Sequence, residues 1–160
     1  MKYHLAILAP GWTELILDGS KTIESRFTKV RCAPFGKVHE GDSVYLKESG
    51  GLVKGMFTVA KVETFENLTE SQICDLFYKE YREQIFSSLS ASMQRPPEKW
   101  LTAKHATLIH VSDPIAFDEP FRYRQKGRSA WIVLDAPLHD GNRQLTTCTA
   151  NCMKIQNLIR

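Results

Sequence analysis

The sequence predicts an α+β fold, a small and mostly antiparallel β-barrel with helices packed on its outside. Several stretches alternate apolar and polar residues with the period of a strand, and turn residues such as Gly41-Asp42 and Ser49-Gly50-Gly51 separate them. Residues 68–85 instead repeat their apolar side chains at helical spacing. Short strands in succession, with a helix to cover one face of the sheet, are typical of a small barrel.

Length and composition indicate one ordinary globular domain. The chain has 160 residues, of which 42% are hydrophobic and 24% charged, and this is enough to build one sizeable core. We expect the domain to span residues 1–137. The polar tail that follows, 138–160, could form one or two amphipathic turns of helix.

No stretch of the sequence predicts a secretory signal or a membrane span. The first apolar run, 3–9, is too short and too weakly flanked for a signal, and no later run approaches the length that crosses a bilayer. We therefore expect a soluble, cytoplasmic protein without a membrane partner. The sequence leaves its oligomeric state open.

The four cysteines are a poor match to a metal site. A structural zinc site takes four converging ligands, usually from two close pairs, whereas only Cys148 and Cys152 lie near each other and Cys32 and Cys74 stand alone. Reduced thiols are the expected state in the cytosol. We predict no metal and no cofactor.

The first elements lead into a charged strand. Residues 3–8 are predicted to form a strand, and a short helix follows in which Trp12, Leu15 and Ile16 fall at helical spacing. Gly19 is predicted to end this helix, because glycine adopts the left-handed cap conformation without a Cβ penalty. From Lys21 onward the period of the pattern changes to two.

The strand that begins at Lys21 carries charge on both faces. Alternation places a lysine, a serine and two apolar residues on one face, and a hydroxyl, a carboxylate and a guanidinium on the other. These residues are Lys21, Ile23, Ser25 and Phe27, and then Thr22, Glu24 and Arg26. One interpretation is a solvated face with a weak contact between Glu24 and Arg26. The other interpretation is a functional site.

The middle of the chain continues the sheet and then changes to helix. After a predicted loop, 28–40, two strands are expected over 43–47 and 52–65, and Gly55 inside the second predicts a bulge or a close approach of backbone. Thr69, followed three residues later by Gln72, is a capping box, and it predicts a helix that runs to about Ile85. We expect residues 87–97 to form a mobile loop, followed by a short helix with Trp100 and Leu101.

The last part of the domain predicts two more strands. The first covers 105–111, and Pro114 and Pro120 then punctuate a connection to the second, 130–134. His110 is predicted to be a hydrogen-bonded structural residue, although the sequence supplies no partner for it. Trp131 could be part of the core or a stacking platform, and its apolar neighbours favour the core.

The charges are unevenly distributed along the chain. The stretch from Glu63 to Glu83 is acidic, whereas a basic run with an aromatic residue among its cations follows later. That run contains Arg122, Tyr123, Arg124, Lys126 and Arg128. Lys21, Arg26, Lys29 and Arg31 form a second basic group. If both groups converge on one cleft, the cleft would attract a phosphate backbone, and otherwise they are two solubilising surfaces.

These motifs together resemble the ASCH domain, the ASC-1 homology family of PUA-like folds. That family shows an apolar first strand, a short helix and a G-x-K-x-x-E-x-R signature, and Gly19, Lys21, Glu24 and Arg26 stand at that spacing. Further matches are Gly41-Asp42 before a strand, the strand 56–62, and Gly127-Arg128 before 131–134. The resemblance covers about residues 3–134.

The resemblance implies a module that binds RNA or another nucleic acid, or a nucleotide. Lys21, Arg26 and the basic run would then hold phosphates, and Trp12 or Tyr123 would stack on an unpaired base. We therefore expect single-stranded RNA or a nucleotide as the partner, in preference to duplex DNA. The predicted binding residues are Trp12, Lys21, Thr22, Glu24, Arg26, Arg122, Tyr123, Arg124, Lys126 and Arg128.

The resemblance also implies an alternative, a small hydrolase. Some ASCH-like proteins remove the acetyl group of N4-acetylcytidine with a lysine, a threonine and a glutamate, and ribonuclease activity is also attributed to the family. Lys21 matches the lysine, whereas Glu24 stands at the position of the threonine. The family's glutamate falls near Leu76, with Asp75 and Glu80 the nearest carboxylates. If the protein is an enzyme, Lys21 and Glu24 are the expected catalytic residues, and Lys21 needs a lowered pKa to act as a base.

Overall fold

A computed structural model describes residues 1–86, 95–125 and 127–138, which form one six-stranded sheet. The strands are β1 (Tyr3–Leu8), β2 (Ile23–Thr28), β3 (Ser43–Glu48), β4 (Val53–Glu66), β5 (His105–Phe121) and β6 (Trp131–Leu134). Their order is β2-β5-β4-β3-β1-β6, and every neighbouring pair is antiparallel except β1 and β3. The sheet curls into a half-barrel with β2 and β6 at its edges. The predicted α+β, mostly antiparallel fold is confirmed.

Short helices accompany the sheet. They are α1 (Trp12–Leu17), α2 (Glu70–Asp75), α3 (Arg82–Phe86) and α4 (Glu98–Leu101), and a π-helical segment, Leu76–Tyr81, joins α2 to α3. The predicted capping box is present, since the Thr69 hydroxyl accepts from the N–H of Gln72 and the Gln72 amide oxygen accepts from the N–H of Thr69. The helical stretch that the sequence predicts to about Ile85 therefore exists, with one π-helical interruption. No helix in the described part of the chain is long and apolar enough to cross a membrane.

The curled sheet is covered on both of its faces. Inside the curve, Val44, Phe57 and Ile109 pack with α1 and Trp131. On the other side of β2 and β5, Leu108 and its neighbours pack against the helical stretch α2–α3. Adjacent residues such as Leu108 and Ile109 thus lie in different clusters, as strand alternation requires.

Gly55 lies where two parts of the structure approach each other closely. A Cβ atom at this position would lie 2.4 Å from the carbonyl oxygen of Ile115 and 2.6 Å from Cδ2 of Leu17. No side chain fits there, and the register of the sheet shifts next to it. The close approach that the sequence predicts at Gly55 is confirmed.

Two strand boundaries predicted from the sequence are wrong. The strand expected to begin at Lys21 begins at Ile23. The strand expected to end at Val111 continues to Phe121, through Pro114 and Pro120. Pairing is kept on both sides of the first proline, with Ser112 opposite Thr58 and Ile115 opposite Met56, so one extra residue is accommodated as a bulge. Asp113 has a φ of 46° at this point. A proline is tolerated at a bulge because its missing N–H leaves no ladder bond unmade.

After Thr28, which ends β2, the predicted loop 28–40 contains no helix or strand.

Several other predictions fall partly or wholly outside the described residues. Most of the predicted mobile loop, 87–94, and the tail beyond Leu138 lie outside the described residues, as does Lys126. The mobility of the loop, the end of the domain and the helicity of the tail stay predictions.

Candidate functional site

A cleft of about 790 Å³ opens between the two ends of the half-barrel. The edge strand β2 forms one wall, and the end of β1 with residues 129–131 forms the other. Trp12 of α1, the end of α3 and α4 complete its lining. The cleft therefore lies where the sheet fails to close into a full barrel.

The turn after α1 brings Lys21 into this cleft. Gly19 has a φ of 82°, which glycine adopts without strain, and its N–H donates to the carbonyl of Ile16. The Lys21 N–H then donates to the carbonyl of Leu15 at 2.7 Å, and the Thr22 N–H to that of Gln84 at 3.0 Å. The start of β2 is thereby fixed between α1 and α3.

Lys21 is buried, with only 3% of its side chain exposed. Its Nζ donates to the carbonyl oxygens of Ile23 and Ile85, both at 2.6 Å, and lies 3.4 Å from Oε2 of Glu24. An ammonium group has three N–H donors, and three acceptors surround it here. Burial lowers the pKa of Lys21 below its ordinary value of 10.5, and the charge of Glu24 opposes this shift.

Arg26 connects the two walls of the cleft. Its Nε donates to Oε1 of Glu24 at 2.8 Å, Nη1 to the carbonyl oxygen of Ala130 at 3.1 Å, and Nη2 to that of Ile7 at 3.2 Å. Its guanidinium carbon lies 5.2 Å from the ring centroid of Trp131, a cation–π distance. Three of the five N–H groups of Arg26 thus have partners, and two of these partners, Ala130 and Ile7, lie on the opposite wall.

The cleft combines this charged group with an aromatic lining. The ring of Phe27 stacks on Trp100 at 4.2 Å, Phe86 lies 5.4 Å from Trp100, and Trp12 meets Phe86 edge-on at 5.7 Å. Trp131 lines the cleft from the opposite wall. Aromatic surfaces beside a carboxylate and a guanidinium suit a flat ligand with polar edges.

Trp131 is itself held from behind. Its indole N–H donates to Nδ1 of His4 at 3.2 Å, and Nε2 of His4 lies 3.1 Å from Oδ2 of Asp42. Asp42 also accepts hydrogen bonds from the backbone N–H groups of Lys2 and His39. Trp131 therefore belongs to the core, as its apolar neighbours predict, and also lines the cleft.

The structure brings some of the predicted binding residues together. Trp12, Lys21, Glu24 and Arg26 line one cleft. Thr22 lines a second hollow of about 560 Å³, against the end of the helical stretch. Lys99, which the sequence did not single out, is exposed at the cleft.

The basic run is placed elsewhere. Arg122, Arg124 and Arg128 are exposed and are not among the residues that line the cleft, although Ser129 and Ala130 directly after them are. Tyr123 packs against a cluster around Leu5, Tyr45 and Val53. The described part of the run is therefore a separate surface near the rim.

The carboxylates considered for hydrolysis do not join Lys21. Leu76, near the family's glutamate position, is buried in the core. Asp75 lies 2.7 Å from Lys79, and Glu80 lines the second hollow. Among the described residues that line the cleft, Glu24 is the one acidic residue.

The sequence did not predict a cluster of polar residues around Glu63. Nε2 of His110 lies 2.6 Å from Oε1 of Glu63, and the hydroxyl of Tyr81 donates to the same carboxylate at 3.1 Å. Burial raises the pKa of Glu63, but the hydrogen bonds from His110, Lys61 and Tyr81 outweigh it and lower the pKa. The partner that His110 needs is 47 residues away, so no local pattern indicates it.

The model of the ASCH domain matches residues 7–98, which is more than half of the chain. The chain belongs to the ASCH domain family. The matched range contains Gly19, Lys21, Glu24 and Arg26, so the signature that suggests the family lies inside it. ASCH domains are generally thought to bind RNA or to act as hydrolase-like modules.

Solved structures agree with this assignment. The ASCH protein of Zymomonas mobilis is similar with a TM-score of 0.55 and 16% identity, over 83% of this chain and 87% of that one. A serine-to-alanine mutant of the same protein gives 0.57 and 15% identity, over 98% and 96% of the two chains. At this identity the likeness shows the PUA-like fold alone. A search of curated protein sequences found no match.

Proposed function

We propose that this ASCH domain binds an unpaired nucleobase of RNA, or the base of a nucleotide, in the cleft around Lys21, Glu24 and Arg26. One observation carries the proposal: aromatic rings line a cleft that also holds a carboxylate and a guanidinium. Its volume of about 790 Å³ is that of a small-molecule site. The aromatic rings would stack on the flat face of the base, and Glu24 and Arg26 would meet its polar edge.

In this proposal, different cations contact different parts of the ligand. The Nζ of Lys21 already faces two carbonyls and Glu24, so Lys21 is a poor phosphate ligand. Lys99 is exposed at the cleft, and Arg122, Arg124 and Arg128 are exposed outside it. In this proposal the base enters the cleft, while these exposed side chains contact the backbone phosphates.

A stacking cleft favours single strands over duplexes. Stacking on a side chain needs a base face that paired and stacked bases do not offer. We expect the protein to bind a short single-stranded RNA more tightly than the same sequence in a duplex. Fluorescence anisotropy with matched oligonucleotides, competed with mononucleotides at low salt, tests this. If the protein binds the single strand and the duplex with equal affinity, the stacking argument is wrong. If it binds no nucleic acid and no nucleotide, the proposal is wrong.

A second candidate function is hydrolysis, and the burial of Lys21 favours it. A lysine acts as a base only when its pKa is lowered, and burial lowers that of Lys21. Glu24 lies 3.4 Å from it and could orient a water molecule. Because Glu24 stands where the amidohydrolases of the resemblance have a threonine, we rank this candidate second.

Product formation separates the two candidates. We expect the native protein to leave N4-acetylcytidine and short RNA intact. Turnover by the native protein that disappears in Lys21→Arg would reverse the ranking, because a guanidinium does not give up its proton near neutral pH. A native circular dichroism spectrum and melting curve of Lys21→Arg are the control, since the larger side chain enters a buried position.

A further inference from the structure

Three buried side chains connect the Gly41-Asp42 turn with the cleft. Asp42 contacts His4, His4 contacts Trp131, and the Trp131 ring lies under the guanidinium of Arg26. Relative exposure is 3% for Asp42, 0% for His4 and 3% for Trp131. The binding proposal uses Trp131 and Arg26, but it gives no role to the two residues behind them.

The chemistry of the neighbours fixes the tautomer of His4. An indole N–H is only a donor, so Nδ1 of His4 must accept and carries no proton. The proton of the neutral ring then sits on Nε2, where it is donated to Asp42 Oδ2 at 3.1 Å. Each ring nitrogen therefore has one role and one partner.

The carboxylate of Asp42, which contacts the His4 ring, is itself fixed by hydrogen bonds. Its Oδ1 accepts from the backbone N–H of Lys2 at 2.6 Å, and its Oδ2 also accepts from that of His39 at 2.9 Å. Lys2 directly precedes β1, and His39 lies in the turn before β3, so two separate parts of the chain fix the carboxylate. The orientation of the carboxylate fixes the orientation of the imidazole.

We propose that His4, held by Asp42, is a positioning residue of the cleft: it sets the plane of Trp131, and Trp131 in turn sets the guanidinium of Arg26. The inference rests on the proposed function for its effect on a ligand. Its effect on Trp131 and Arg26 is a property of the free protein, so the two can be tested separately.

Two matched substitutions of His4 separate its two contacts. In His4→Asn the amide oxygen lies near the place of Nδ1, so an acceptor remains for Trp131 while the contact with Asp42 is lost. In His4→Gln the amide nitrogen lies near the place of Nε2, so the contact with Asp42 remains while Trp131 loses its acceptor. Both variants lose the imidazole ring, and each is the control of the other.

The indole resonance of Trp131 and the Nε–H resonance of Arg26 are the first readout. In His4→Gln we expect both to shift and the indole hydrogen to exchange about tenfold faster, whereas His4→Asn stays closer to the native protein. Trp131→Phe assigns the indole signal. The proposal is wrong if the Trp131 and Arg26 resonances are unchanged in both variants, or if they change in His4→Asn alone. This holds whatever the effect of the substitutions on the stability of the protein.

Affinity for a short fluorescent single-stranded RNA is the second readout. We expect His4→Gln to bind about tenfold more weakly than the native protein and more weakly than His4→Asn. Equal affinity of the two variants would contradict a role in binding. If the native protein binds no RNA while the resonances behave as expected, the proposed function fails and the positioning of Trp131 and Arg26 stands.

The native protein supplies a measurement that needs no variant. Nitrogen chemical shifts of the His4 ring report which nitrogen carries the proton. We expect a protonated Nε2 and an unprotonated Nδ1 at neutral pH. The opposite tautomer, or a ring protonated on both nitrogens, would leave Trp131 without its acceptor and overturn the proposal even if both variants fail to fold.

Discussion

The guanidinium of Arg26 donates a hydrogen bond of 3.2 Å to the carbonyl oxygen of Ile7. Arg26 lies in β2, at one edge of the sheet, and Ile7 lies in β1, next to the opposite edge. In the described part of the chain, no backbone pairing joins these two ends of the half-barrel. The side chain of Arg26 thus bridges an opening that the strands leave, and it does so inside the candidate site.

Replacing Arg26 by Lys tests this bridge. A lysine keeps the charge but cannot reach Glu24, Ile7 and Ala130 at once, because it lacks the planar fork of donors. We expect the free energy of unfolding to fall by about 1–3 kcal/mol, as measured by urea denaturation. Arg31→Lys is the control, since Arg31 is 65% exposed and contacts Glu66. Equal stability of the two variants would show that the bridge contributes nothing.

Replacing Lys21 by Met tests whether the buried ammonium is structural. Methionine matches the length of the side chain, but the carbonyls of Ile23 and Ile85 lose their donor and Glu24 loses one cation. We expect a loss of about 1–3 kcal/mol in the free energy of unfolding. Lys79→Met, at an exposed lysine, should leave the denaturation midpoint unchanged. A Lys21→Met variant as stable as the native protein contradicts the contacts described for Nζ.

We expect acid to lower the free energy of unfolding because of His4. Burial lowers the pKa of His4 below 6.5, and its contact with Asp42 opposes this only in part. Below pH 6.5 the unfolded chain takes up a proton that the folded ring resists, so the free energy of unfolding falls as the pH falls. The hydrogen bonds of Asp42 lower its pKa despite burial, and its contribution is lost only below 3.8.

Denaturation curves of the native protein and His4→Asn, from neutral pH down to about pH 5, isolate this effect. The variant has no imidazole at position 4, so the difference in slope between the two proteins reports His4 alone. We expect the native stability to decrease more steeply. Parallel curves would mean that His4 titrates alike in the folded and unfolded states.

Trp12→Ala tests the aromatic lining. If a base stacks in the cleft, removing this ring should reduce the affinity for a mononucleotide and for a short single strand by about 1–3 kcal/mol. Tyr78→Ala serves as the control, because Tyr78 is 50% exposed and lines the second hollow instead. Comparable affinities of both variants would exclude stacking on Trp12.

Arg122→Ala combined with Arg124→Ala tests the division between base and phosphate contacts. If each arginine contacts one phosphate, the slope of log affinity against log salt should become shallower by about 1.4 for a single-stranded RNA. The affinity for a mononucleotide should not change. Lys61→Ala with Lys79→Ala also removes two exposed cations and should leave the slope as it is. Loss of mononucleotide binding in the arginine variant would place these residues at the base.

The local signals in the sequence determined most of the elements. Thr69 and Gln72 start a helix through bonds within one turn, Gly19 ends another through its own φ, and Gly55 leaves room for a neighbouring carbonyl. Lys21, Glu24 and Arg26 indicate the family because their spacing is visible along the chain. Such signals depend only on neighbours in sequence.

Only the tertiary structure decided what these charges do. Lys21 donates to a carbonyl 64 residues away, and Arg26 to one 104 residues away. Every residue has a backbone carbonyl, so nothing in the amino-acid types of Ile85 or Ala130 marks them as partners. The packing of α3 against β2 selected the carbonyl of Ile85, and the curl of the sheet selected that of Ala130. For the same reason the sequence left open whether the basic run after Phe121 joins the cleft, and in the structure Arg122, Arg124 and Arg128 lie on a separate surface.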